Sequence, residues 1–491
     1  MKNHFGTSFF FLIVLSAISH AQTPAKPDIT VQGKISGNQN NTYVEAPFDV
    51  PQGIVSITVT FHYTERDKRT TLDLGLFDPE RFRGWSGGNK DSFTISTTDA
   101  TASYLPGPII PGKWKLIIGV PNIRSSVTSH YEADIYFTRS DTVSSFTDKP
   151  LRSGPAWYRG DLHMHTAHSD GSCLSQSGRK VPCPVFLTAE TAAARGLDFI
   201  AVTDHNTDSH YAALRELQPY FDKLLFIPGR EITTFWGHAN LFSPTQFIDF
   251  RVGTTTSISS LFDQAEQMHA ILSINHPNAP TGEACMGCGW TPKEEIDPRL
   301  MHVIEAVNGG AEDGQYSGIS FWERYLNQGY RVTAIGGSDN HNAQLPLTEK
   351  NAIGSPTTVI YADDLSVNSL LHAIRLGHVF IDLSATRDRI LDVSAEDDNN
   401  KAMMGDVLTA PANSSIKISA HVIDCGNNQL RFVLDGQRVP SLHSNITQAD
   451  QTIALILPSD GKKHWLRPDV VTPEGKLILL GNPIYLNYTE R

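Results

Sequence analysis

The stretch Gly160-Asp161-Leu162-His163-Met164-His165-Thr166-Ala167-His168-Ser169-Asp170-Gly171 decides how the chain is read. It closes an apolar, strand-like run over residues 157–164. His163 and His165 stand two apart, so on a strand both side chains project from one face and can grip one ion. The same arrangement recurs downstream. The run 197–202 is followed by Thr203-Asp204-His205-Asn206, and 224–227 by Gly229-Arg230-Glu231 and then Gly237-His238-Ala239-Asn240. The run 270–274 leads into Asn275-His276-Pro277, 303–307 into Asn308-Gly309-Gly310, and 332–335 into Gly337-Ser338-Asp339-Asn340-His341. Helical periodicity falls between or after these runs, at 185–195 (stopped by Gly196), 257–268, 319–327 and 367–376. Repeated strand-then-helix order over residues 154–385 predicts a parallel α/β domain, open or closed. In such domains the reactive groups lie just past the carboxyl ends of the strands.

His and carboxylate groups at nearly every strand end predict metal binding, because clustered carboxylates repel one another without a cation. Imidazole nitrogen with carboxylate oxygen suits zinc, manganese or iron(II). A carboxylate such as Glu231 can bridge two ions, and two ions clamp an attacking and a leaving oxygen. Asp339, at the edge of the cluster, is the candidate to take or relay a proton, while Asp204 and Asn308 are read as residues that orient ligands. Strand alternation points Arg230 away from the cluster, as a structural ion pair, and His168 and His210 are read as surface residues. A phosphate substrate would want a cation nearby. Arg179, Lys180, Arg324 and Lys350 sit in suitable loops but read as solvated surface charges. The Gly-x4-Gly-Lys-Ser/Thr loop of nucleoside-triphosphate motors and the His-Glu-x-x-His of common zinc proteases are both absent from the sequence.

Outside this region the pattern changes. Residues 1–21 read as an export signal: Lys2, an apolar core over 9–18, and Ser19-His20-Ala21 before a cleavage at Gln22. That core is too short for a permanent span, and no later segment is long enough to cross, so the mature chain is expected to be exported, periplasmic or secreted. Residues 22–153 alternate with period two, as in 54–61 and 114–120, and predict an N-terminal β-sandwich. Residues 386–491 alternate again, as in 416–422 and 430–435, and predict a second sandwich with turns at Asn427, Asp435-Gly436 and Asp460-Gly461. Acids outnumber bases 52 to 40, a net charge of −12 that repels polyphosphate chains, so a small-molecule substrate is expected and no nucleic-acid polymer. Five cysteines fit two local disulfides, within the pairs Cys173/Cys183 and Cys285/Cys288, plus a buried Cys425.

With these motifs together, residues 158–382 resemble the PHP (polymerase and histidinol phosphatase) superfamily of metallohydrolases. Gly354-Ser355-Pro356-Thr357-Thr358-Val359-Ile360-Tyr361 and Leu371-His372-Ala373-Ile374-Arg375-Leu376-Gly377-His378 look most like its CehA/McbA branch. The resemblance implies a distorted barrel of about seven β/α units flanked by the two sandwiches, with two or three divalent ions. Carried onto this sequence, His163, His165, Glu231 and Asp339 would hold the first ion. Glu231 would bridge to a second held by His238 and His276, and Asp170, His205 and His341 would hold a third. The implied activity is phosphoester hydrolysis by a metal-activated hydroxide. The alternatives are an amide, ester or carbamate hydrolase, which the branch includes, and a non-catalytic binding module.

Overall fold

In the computed structural model, which describes residues 26–139, 149–243, 246–283 and 285–489, the early alternating runs pair into two four-stranded antiparallel sheets. One sheet orders Ile29–Ser36, Thr128–Thr138, Ser56–Tyr63 and Ser92–Ser96. The other orders Thr42–Val50, Gly112–Asn122, Thr71–Phe77 and Phe82–Gly87. Inward residues such as Val59, Leu74, Ile95, Trp114 and Ile135 share one core between the sheets, as period-two alternation requires. The run Gly84-Trp85-Ser86-Gly87-Gly88 has the spacing of a serine-hydrolase elbow, but it lies on a sandwich strand with Ser86 buried and its Oγ 2.9 Å from Tyr104 OH. No strand–turn–helix presents that serine, so it is not a nucleophile. The proposed export signal lies outside the described residues.

The central region is mixed α/β and mostly sheet. Hydrogen-bonded neighbours run Thr333–Gly337, Val303–Asn308, Ile271–Ile274, Gly237–Phe242, Leu225–Thr234, Phe199–Val202, Ser153–Asp161, Thr357–Asp364 and Val379–Asp382. Four of these pairings are parallel and four antiparallel. Five α-helices lie among the described residues: α1 (Val185–Ala194), α2 (Tyr211–Leu217), α3 (Ile258–Gln267), α4 (Ile319–Asn327) and α5 (Val367–Leu376). A sevenfold strand–helix alternation is therefore not what forms. The strand Leu225–Thr234 turns back directly as the buried hairpin strand Gly237–Phe242, leaving no crossover for a helix. Thr333–Gly337 meets the far end of the run through side chains, not a ladder: Asn482 accepts from Ala334 N at 2.8 Å and donates to Ala334 O and Val379 O at 2.9 Å each. Gly336 N donates to Thr358 Oγ1 at 2.8 Å, and that hydroxyl donates to Gly336 O at 2.6 Å.

Helix ends follow local chemistry. Ser257 caps α3 and Ser366 caps α5 by accepting from Ser260 N and Ser369 N, at 3.1 and 3.2 Å. Gly377 ends α5 at φ +86°, a conformation that a side chain would strain. One face of α5, carrying Val367, Leu370, Leu371 and Ile374, is buried against the sheet.

The C-terminal strands do not stand apart as the sequence suggested. Leu477–Gly481 pairs antiparallel with Val379–Asp382, so the sheet continues through His464–Val471, Gln429–Leu434 and Gln437–Asn445. A four-stranded sheet of Lys401–Met403, Ile390–Glu396, Ser415–Ile423 and Asp450–Pro458 packs beside it. No helix among the described residues is long and apolar enough to cross a membrane.

Candidate metal centre

The strand Ser153–Asp161 ends earlier than its apolar run suggests, so His163 and His165 follow the strand. Met164 between them bridges in parallel to Asn340, which keeps the segment extended beside Asp339 and His341. His205 follows Phe199–Val202, His276 follows Ile271–Ile274, and Asp339 and His341 follow Thr333–Gly337. Glu231 and His238 lie on the two facing strands of the central hairpin. All nine residues marked by the sequence thus reach one region.

Glu231 is the hub and is fully buried. Its Oε1 lies 3.4 Å from His163 Nε2, 3.3 Å from His238 Nδ1 and 3.4 Å from His276 Nε2. Its Oε2 lies 2.6 Å from His205 Nδ1 and 3.8 Å from His165 Nε2. Asp339 Oδ1 stands 3.4 Å from His163 Nε2, 3.2 Å from His165 Nε2 and 3.6 Å from His341 Nδ1. Asp170 Oδ1 is 3.3 Å from His341 Nε2 and 3.7 Å from His205 Nε2. Three groups have donor atoms within 4.8 Å of one another: His163/Glu231/His276, His163/His165/Asp339 and His165/Asp170/His205/His341. This partition differs from the one the family resemblance implied. His163 and His165 are each shared between groups, and His238 touches Glu231 without joining a group.

The donor set fits divalent cations on three counts. Donors held about 2.1 Å from one tetrahedral ion stand about 3.4 Å apart, the spacing of the His163, Glu231, His276 and Asp339 contacts. The imidazoles are also oriented. Nδ1 faces Glu305 Oε1 in His163 (2.8 Å), Thr233 Oγ1 in His205 (2.7 Å), Cys288 O in His276 (3.2 Å) and Asp339 O in His341 (2.9 Å). An acceptor at Nδ1 holds the proton there and leaves the Nε2 lone pair for the cluster. Finally, His163 Nε2, His165 Nε2 and His238 Nε2 are buried without a hydrogen-bond partner among the described residues, which costs free energy unless a ligand is bound.

Burial lowers His163, His205, His276 and His341, but the neighbouring carboxylates outweigh it and raise all four, so a bound ion would displace protons from these imidazoles. Burial pushes the Glu231 carboxyl up, but His238, His163 and His205 outweigh it and hold it well below the carboxylate range. Asp339 is likewise raised by burial and lowered further by His163 and His165. Burial drives His165 down to about 4, so its imidazole is neutral and free to donate a lone pair. His341 is disfavoured by burial yet lifted to about 9 by Asp170 and Asp339. Asp339 and His276 hold positive φ, +52° and +27°, strain that concentrates at functional positions.

Supporting residues complete the centre. Asp204 accepts from Thr166 N and Thr166 Oγ1 at 2.7 Å each and from Ser169 Oγ at 2.6 Å, fixing the loop that carries Asp170. Asn308 reaches Asp339 Oδ2 at 3.3 Å. Glu305 was not singled out by the sequence reading. It faces His163 and accepts from His276 N at 2.9 Å and Asn308 Nδ2 at 3.1 Å. The usable signal was a lone acid inside the apolar run Val303-Ile304-Glu305-Ala306-Val307, since a buried carboxylate must be partnered. Asn275, whose Nδ2 donates to Glu231 Oε1 at 2.8 Å, was also missed.

Of the other readings, those of His210 and of the Cys173/Cys183 pair are corrected. His210 is fully buried, not a surface residue. Its Nε2 lies 2.9 Å from Gly229 O and its Nδ1 3.4 Å from Asp204 Oδ2. His168 is half-buried against Ser209 Oγ at 2.7 Å. Arg230 is a buried structural cation, 3.4 Å from Asp208 Oδ2. Cys285 and Cys288 are bridged, whereas Cys173 and Cys183 face each other as free, buried thiols, with burial pushing Cys183 up to about 12. Cys425 is a buried free thiol. Of the four candidate cations, Arg324 stacks on the Phe321 ring at 4.5 Å, and Arg179, Lys180 and Lys350 are all exposed, with Lys180 and Lys350 lining an open cavity beside Asp339 and His341.

No family model and no curated protein matches the chain. Among solved structures it is similar to a two-domain protein containing predicted PHP-like metal-dependent phosphoesterase from Bacteroides vulgatus ATCC 8482. The two share 18% identity over 71% of this chain and 99% of that chain, with a TM-score of 0.38.

Proposed function

We propose that this chain is a metal-dependent phosphoesterase of the PHP type, exported and acting on a small molecule. The supporting observation is convergence: eight His, Asp and Glu residues from five separate segments meet with the spacing of shared cation sites, and His238 adds a contact to Glu231. His163, His165, Glu231, His276 and Asp339 would hold the inner ions. Asp170, His205 and His341, which are more exposed, would hold an outer one together with His165. Bound divalent ions would supply an acidified water at neutral pH and stabilise negative charge on a phosphoryl oxygen.

The chain's own groups do the rest. Asp339 is ionised, faces both the buried imidazoles and the open cavity, and is the group placed to accept a proton from water and pass it outward. Asn308 orients that carboxylate through its 3.3 Å contact. Glu305 and Asn275 fix His163 and Glu231 from behind.

Metal analysis of the purified protein should find at least two divalent ions per chain. Parallel assays with p-nitrophenyl phosphate, bis-p-nitrophenyl phosphate and an aryl carbamate should show phosphoester turnover only. Glu231→Ala should lose metal and lower kcat/KM by about 1,000-fold or more, since the ions contribute several kcal/mol to the transition state. Turnover of the carbamate alone moves the reading to acyl chemistry, and a fully active Glu231→Ala variant removes the metal centre from it.

A further inference from the structure

The cavity that opens beside Asp339 and His341 holds about 790 Å³, within the range of small-molecule sites and far larger than one phosphoryl group needs. Its walls carry two lysines, Lys180 and Lys350, with Leu174, Leu345 and Tyr316 between the polar groups. Neither lysine has an ion-pair partner among the described residues, although acids outnumber bases in the chain. Both are tied to the segment that carries Asp339 and His341. Lys180 sits on the short hairpin opposite Leu174, where Ser172 N donates to His341 O at 2.7 Å and Leu174 N to Gln344 Oε1 at 2.7 Å. Next to Lys350, Asn351 Nδ2 donates to Ser338 O at 2.8 Å, and Asn351 O accepts from Asn340 Nδ2 at 2.6 Å. Two cations are therefore carried on braced loops that share a cavity with the candidate metal centre.

Resting on the hydrolytic reading above, we propose that Lys180 and Lys350 receive a second anionic group, so the substrate is a phosphoester whose leaving group carries a carboxylate or another phosphate. The scissile phosphoryl group lies at the Asp339 and His341 end of the cavity, and the remaining volume takes the leaving group along Leu174, Leu345 and Tyr316. The anionic end then meets the two ammonium groups. An ammonium facing an anion in a water-accessible cleft contributes on the order of 1 kcal/mol, so the pair is expected to give about tenfold selectivity.

Non-hydrolysable phosphonates test this without turnover. Calorimetry on the metal-loaded full chain should show 4-carboxyphenylphosphonate or 1,4-benzenediphosphonate binding about tenfold tighter than phenylphosphonate, and the tighter of the two identifies the anion. In Lys180→Met/Lys350→Met that ratio should fall below about twofold at unchanged metal content, while Lys223→Met, at a different cavity, should keep it. Equal affinities in the unaltered protein, or a ratio that survives the double substitution, overturn the lysine assignment. In either case p-nitrophenyl phosphate turnover still upholds the hydrolytic reading. Phosphonate selectivity without turnover upholds the lysines and removes the hydrolase, and no binding of any phosphonate removes both.

Discussion

Single side chains divide into those the sequence announced and those it hid. His163, Glu231 and Asp339 were legible because polar, metal-binding groups recurred where strands end. Glu305 was hidden because its significance lies in a contact across 142 residues, 2.8 Å from His163 Nδ1, that no local pattern records. The geometry gives it a measurable duty. As a carboxylate against Nδ1 it fixes the His163 tautomer and raises the basicity of Nε2. Glu305→Gln keeps the shape and the contacts to His276 N and Asn308 but removes the charge. Competition with a chelator should then show metal affinity lowered by about 10- to 100-fold, with kcat/KM falling in parallel at limiting metal. Unchanged affinity would leave Glu305 a packing residue only.

Secondary-structure elements were legible where one periodicity ran long enough. Helices α4 and α5 span the residues that their apolar spacing predicts. The hairpin strand Gly237–Phe242 and the helix α2 were not read, because the first is a fully buried run with no alternation and the second is only seven residues long. Joining elements is likewise a matter of non-local pairs. Arg159 on the strand Ser153–Asp161 and Asp382 at the end of Val379–Asp382 are both buried and 2.7 Å apart. Asp382 also accepts from Ser384 N at 2.9 Å, and Arg159 Nη1 donates to Arg389 O at 2.7 Å, so the pair fastens the exit from the central sheet. Asp382→Ala leaves a buried guanidinium without its counter-charge. Urea unfolding should show a loss of about 3 to 5 kcal/mol, whereas an exposed pair such as Arg66–Asp91 should cost under about 1 kcal/mol on the same change.

For the whole molecule, the sequence suggested three modules in a row, and the packing gives cores of different reach. The N-terminal core draws on residues between Ile29 and Phe137. The core around α3 and α4 runs from Ile232 to Tyr488, and the one behind it from Val359 to Leu486, so central and C-terminal strands bury one another's apolar faces. Period-two alternation marked the C-terminal strands but held no information about their partners, because pairing Leu477–Gly481 to Val379–Asp382 spans nearly 100 residues. Shared cores unfold together, while a core with its own inward residues can melt apart. The candidate metal centre belongs to the larger body, and a ligand stabilises only the unit whose folded state it binds, by about 4 kcal/mol when present at 1,000 times its Kd. Calorimetry of the metal-loaded chain should therefore resolve two transitions, and chelation should lower the midpoint of the larger one by about 5 °C while the smaller stays fixed. Among the described residues, the Arg215–Asp99 ion pair joins α2 to the sandwich. Arg215→Ala should sharpen the separation. A single transition that moves as a whole on metal removal, with Arg215 intact or replaced, would show that the sandwich is not thermodynamically independent of the centre.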